Sequence, residues 1–125
     1  MIEYEEESLD IRDKIIVDPD NTYFMMMDSS DMESYGICKE NILVIDRTLP
    51  PVEGAIVTFF YSGSFYTREY HFLHAALVLR GSTSAADIKV TSLDEVVFFG
   101  VVTVVLKNLL PARLRTGRYR DVCSC

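Results

Sequence analysis

Hydrophobic positions gather in short runs separated by polar and turn residues along most of the chain. From Thr22 onward they form brief runs bounded by turn residues: Tyr23-Phe24-Met25-Met26-Met27, Ile42-Leu43-Val44-Ile45 and Ala55-Ile56-Val57-Thr58-Phe59-Phe60-Tyr61. Aromatic and β-branched residues favour pleated, half-buried backbone, and runs of this length and spacing predict an all-β domain. Ser62-Gly63 separates Phe60-Tyr61 from Phe65-Tyr66-Thr67-Arg68-Glu69-Tyr70. Glycine accepts the positive φ of a tight hairpin turn, so Arg68 falls on the hairpin's second strand. Further strands are expected over Ala75 to Arg80, Ile88 to Thr91 and Val96 to Leu106, with Gly100 a bend or bulge in the last. Residues 31–36 have room for a single helical turn.

The ends read differently. Glu3 to Pro19 has few strand formers and runs into the turn cluster Val17-Asp18-Pro19-Asp20-Asn21, which predicts an extended arm ending in a turn. Beyond Pro111 the chain is polar and basic, and a tail without fixed structure is expected. The division is an arm at 1–21, a β domain at 22–110 and a tail at 111–125. A chain of 125 residues has the size of one compact domain. Its most apolar stretch, Val96 to Leu106, falls well short of the roughly 20 residues a membrane-spanning helix needs and is expected to be a buried strand pair. The acidic start lacks the basic and apolar regions of a secretory signal, so the expected location is the cytoplasm, with no membrane contact.

Charge narrows the partners. A net charge of −7 argues against non-specific DNA binding, which needs a surplus of Lys and Arg. The distribution is polar: Glu3, Glu5, Glu6, Glu7 and Asp10 mark one end, whereas Lys107, Arg113, Arg115, Arg118 and Arg120 mark the other. The basic tail is therefore the one segment suited to DNA or an acidic partner. The acidic run Glu5-Glu6-Glu7 is expected to be a solvated arm. Three cysteines, Cys38, Cys123 and Cys125, do not have metal-site spacing, and reduced thiols are expected. No cofactor is implied.

Thr22 to Met32 followed by Asn41 to Asp46 resembles the nucleophile segment of the UmuD/LexA family, the S24 self-cleaving proteins. There an apolar strand precedes Gly-Asp-Ser-Met, and a second apolar strand ends in Asp. Here the matching residues are Ser29-Ser30-Asp31-Met32 and Ile42-Leu43-Val44-Ile45-Asp46. The likeness is strongest to the processed UmuD branch. It takes in Glu3-Tyr4, Leu9-Asp10, Pro19 and Thr22-Tyr23-Phe24 upstream, and Gly54, Ile56-Val57, Gly63, Phe65 and Phe99-Gly100-Val101-Val102 downstream. The resemblance implies a compact, mainly β clip architecture and a homodimer.

In that family a neutral lysine takes the proton of a serine, which attacks a peptide carbonyl. The positions matching serine and lysine are Asp31 and Arg68. A carboxylate offers no hydroxyl, and guanidinium stays protonated at ordinary pH, so no catalytic residue and no protease activity are expected. The two are complementary, and an Asp31–Arg68 ion pair, open to bidentate geometry, is predicted. A nucleophile displaced to Ser29 or Ser30 is the peptidase alternative, although it still lacks a base at Arg68. His71 and His74 are read as surface residues rather than as a Ser-His pair or, with a thiol, a zinc site. Met25-Met26-Met27 reads either as an adaptable partner strip or as alternating core members. Arg80-Gly81-Ser82 replaces the family's Pro-x-Asn, as in a decayed cleft.

Neither the Cys-Gly nor the Ala-Gly bond that the family cuts occurs in the chain, which resembles the shortened, activated form. The resemblance implies an inactive interaction module of the DNA-damage (SOS) response, a dimer binding a Y-family error-prone polymerase and RecA in translesion synthesis. The alternative is a decoy regulator that forms heterodimers with cleavable UmuD- or LexA-like homologues.

Overall fold

A computed structural model describes residues 11–120. The acidic run Glu3 to Glu7 and the Cys123 and Cys125 thiols lie outside them. Among the described residues, seven strands follow in chain order: β1 (Thr22–Met26), β2 (Ile42–Asp46), β3 (Ile56–Tyr61), β4 (Ser64–Leu73), β5 (Ala76–Arg80), β6 (Ile88–Val90) and β7 (Val96–Leu106). They form one sheet in the order β1-β2-β7-β3-β4-β5-β6, with every neighbouring pair antiparallel. The mainly β architecture is the expected one. A short helix, α1 (Ile11–Ile15), interrupts what the sequence predicts as a wholly extended arm. Its IRDKI sequence has no strand pattern, and Ile16 N–H closes the turn on Arg12 O at 2.7 Å. The predicted turn is a 3-10 turn at Pro19–Asn21, closed by Asn21 Nδ2 donating to Asp18 Oδ2 at 3.0 Å.

Val96 to Leu106 is one strand, not the expected pair, because β7 inserts between β2 and β3. Serving two neighbours of different register requires two bulges. Against β3 the pairing steps from Thr58↔Gly100 to Phe59↔Phe98, leaving Phe99 as the extra residue. Against β2 it steps from Val44↔Val104 to Ile45↔Val102, leaving Thr103. Each bulge frees backbone groups that must find other partners. Arg47 Nε donates to Phe99 O at 2.9 Å, and the Thr103 hydroxyl donates to Val44 O at 3.3 Å. Gly100 has a packing reason: a Cβ there would lie 2.6 Å from Ile45 Cγ2 and 2.8 Å from Asp46 O.

The β3–β4 turn at Ser62-Gly63 is as predicted, both residues having positive φ. The β4–β5 turn is equally tight but is made by His74 and Ala75, at φ 53° and 60°. Two clusters form the interior. Val57, Phe59, Leu77, Leu79, Val90 and Val96 pack across β3 to β7. Met27, Met32, Ile37, Leu43 and Ile45 join β2 to the β1–β2 connection. Met25 and Met27 turn inward and Met26 is exposed, so the methionine run chiefly follows strand alternation. Residues 112–119 hold two 3-10 turns, and Arg115 Nε donates to Leu110 O at 2.9 Å, which gives this part of the tail local order.

Candidate functional site

Two segments far apart in sequence meet beside a cleft of about 490 Å³ lined by Met25, Met26, Met27, Ser29, Phe65 and Thr67, among others. β4 brings Arg68, opposite Val57 of β3, and the β1–β2 connection brings Asp31. Arg68 Nη2 lies 3.0 Å from Asp31 Oδ2, so the predicted ion pair is present. It is single rather than bidentate. The guanidinium's Nε–H goes to Ala86 O at 2.7 Å and its Nη1–H to Thr67 O at 2.8 Å. The Tyr66 ring lies 5.4 Å from the guanidinium carbon. Arg68 is 3% exposed, a burial that an arginine tolerates only when its donors are satisfied.

The connection between β5 and β6 holds the pair together, a role the sequence does not announce. Ser82 N–H donates to Asp31 O at 2.7 Å, and Ser82 Oγ accepts from Ser34 N–H at 2.9 Å. Gly81 sits beneath this contact. A Cβ there would fall 2.6 Å from Ala86 Cβ, 3.0 Å from Asp31 O and 3.3 Å from Arg68 Nε. The Gly81 amide donates to Asp87 Oδ1 at 2.9 Å, closing the loop that presents Ala86 O to Arg68. Arg80-Gly81-Ser82, read from sequence as a sign of decay, is thus the scaffold of the ion pair.

Ser29 lines the cleft and its hydroxyl accepts the Asp31 N–H at 3.4 Å; Ser30 is exposed. Among the described residues, the cleft lining contains no lysine and no histidine. Thr58 and Thr67, paired across β3 and β4, share a buried hydroxyl contact of 3.0 Å. His71 does not face the cleft: its two ring nitrogens are taken by Glu53 and Glu69. His74 sits in the β4–β5 turn. Among the described residues, no group of three or more His, Cys, Asp or Glu side chains is arranged to hold a metal. Cys38 is disulfide-bonded, which corrects the expectation of reduced thiols at this position. Asp46, whose place at the end of β2 the sequence pattern singles out, accepts both the hydroxyl and the amide of Thr48, at 2.6 and 2.8 Å. These hydrogen bonds hold its carboxyl below the usual carboxylate range.

An antiparallel sheet with an Asp–Arg pair at one cleft defines a clip-like domain built around two facing polar positions. The chain belongs to the Peptidase S24-like family, whose profile matches residues 1–103. It is 27% identical over 104 residues to the protein ImpA of Salmonella typhimurium and to ImpA of Escherichia coli, covering 83% of this chain and 71% of each relative. No helix among the described residues is long and apolar enough to cross a membrane.

Proposed function

We propose that the chain is a catalytically inactive, UmuD-like interaction subunit of the SOS response, a homodimer that binds a Y-family error-prone polymerase and RecA. Family membership and the resemblance to the UmuD branch support the setting. The observation that carries the loss of chemistry is the 3.0 Å contact between Asp31 and Arg68, the positions matched to serine and lysine. A lysine acts as the base only in its unprotonated form, and Arg68, at the matching position, instead holds its charge against a carboxylate and two carbonyls. Ser29, the displaced candidate, has neither a lysine nor a histidine beside it among the described residues lining the cleft.

The retained cleft favours a second reading, a decoy that pairs with cleavable homologues and holds their arms uncut. Purified chain is incubated with RecA filaments and a UmuD-type substrate. No cleavage is expected, and cleavage that disappears in Ser29→Ala with Ser30→Ala would establish the displaced-nucleophile peptidase instead. Co-elution with a purified Y-family polymerase supports the interaction subunit; co-elution only with a full-length cleavable homologue supports the decoy.

A further inference from the structure

A second group of titratable side chains gathers around His71 on β4. Its Nδ1 contacts Glu53 Oε2, from the β2–β3 connection, and its Nε2 lies 2.5 Å from Glu69 Oε1, two residues back along β4. Glu53 is fixed independently, because its other oxygen accepts the Phe72 N–H at 2.9 Å. Glu69 Oε1 also accepts the Tyr35 hydroxyl at 3.1 Å. Tyr35 ends the 3-10 turn Glu33–Tyr35 and donates its N–H to Met32 O at 3.0 Å, next to Asp31. One chain of contacts therefore runs from Glu53 through His71, Glu69 and Tyr35 to the segment that carries Asp31 into the cleft.

A neutral imidazole has one donor nitrogen and one acceptor nitrogen. With a carboxylate oxygen on each side, the neutral ring would turn a lone pair on one of them. Only the imidazolium donates to both. The other charges around the group are Arg80, opposite Glu69 across β4 and β5, and Asp87, which acts on Tyr35 together with Glu69 and Arg80. Val78, opposite His71 on β5, carries no charge. The hydrogen bond that the ring makes to Glu69 raises His71 above the ordinary imidazole value, opposed by burial, and the Glu53 contact adds to the rise. Glu53 is lowered, chiefly by the Phe72 N–H.

We propose that His71 is a proton-operated clamp on the cleft. Protonated, it fastens the β2–β3 connection to β4 and fixes the Glu69 carboxylate that holds Tyr35. On deprotonation the remaining ring proton stays with Glu53, which the Phe72 amide keeps in place. Glu69 is released toward Arg80, and the Tyr35 segment loosens. The clamp contributes its stability fully below the ordinary imidazole value and loses it as pH rises through the raised value of the folded state. It makes no assumption about which partner the chain binds.

The test is an NMR titration of the full chain between about pH 5 and pH 9, the span over which histidine changes charge. The His71 Cε1–H is expected to titrate above the ordinary midpoint of about 6.5, with the Tyr35 and Asp31 amides shifting at the same midpoint. In His71→Gln that amide response should vanish, with a lower Tm on the acid side only. A His71 midpoint at or below the ordinary value, or Tyr35 and Asp31 amides that ignore it, overturns the clamp. The wild-type titration decides the matter even if the variant does not fold.

Discussion

Arg68 gives Asp31 a single N–H, from Nη2 at 3.0 Å, and keeps Nε and Nη1 for the carbonyls of Ala86 and Thr67. The pair is therefore unequal. The arginine side chain is 4% exposed and the aspartate side chain 42%, so water can replace the carboxylate but not the guanidinium. Arg68→Ala should cost about 3 kcal/mol or more, from unpaired buried carbonyls and the space left behind. Asp31→Ala should cost about 1–2 kcal/mol, below the usual figure for breaking a buried pair because its carboxylate is half solvated. Chemical denaturation midpoints give the order, and equal losses would show that the pair acts as one unit.

Gly81 packs against both partners. Gly81→Ala should destabilise the domain by about 1–3 kcal/mol, because the added methyl meets Ala86 Cβ and the Asp31 backbone rather than a flexible side chain. A crystal structure of the variant should show the Ser82 to Asp31 hydrogen bond lengthened. An unchanged Tm would mean that the β5–β6 connection yields freely.

His74 and Ala75 both carry positive φ without being glycine. Replacing them by Asn-Gly, the pair suited to a turn with two such residues, should stabilise the hairpin by about 1 kcal/mol. Thermal unfolding reads this as a Tm gain of several degrees. A loss would show that the His74 side chain contributes more than its backbone costs.

Thr48 holds Asp46 in its charged form. A carboxyl with a lowered folded value contributes stability above its unfolded value, and that contribution is lost as pH falls through the folded value. Thr48→Ala, which keeps the amide but removes the hydroxyl, should narrow the stability gap between neutral and acid pH. Parallel acid limbs in the two proteins would rule out this role for the hydroxyl.

Much of the fold was legible because strand formation is written locally. Short runs of aromatic and β-branched residues bounded by turn signals mark β1 to β5, Ser62-Gly63 marks a turn, and Gly100 marks the place where β7 must approach Ile45 closely. The His74-Ala75 turn was not legible, since neither residue carries a glycine signature; strand pairing on both sides imposes its conformation. The first turn of helix at Ile11–Ile15 was missed for a related reason, as five residues are too few to show a helical period.

The sequence by itself determined most of the strands, the family likeness and the chemical complementarity of Asp31 and Arg68. Only the tertiary structure decided how that complementarity is spent. Backbone carbonyls have no residue signature, so nothing in the order of amino acids announces that Ala86 and Thr67 would take two of the arginine's donors and leave the aspartate one. For the same reason His71 looked like an ordinary surface histidine until the fold placed a carboxylate against each of its nitrogens. Local patterns encode backbone conformation; the partner of a buried charge is set by which loops the sheet brings over it.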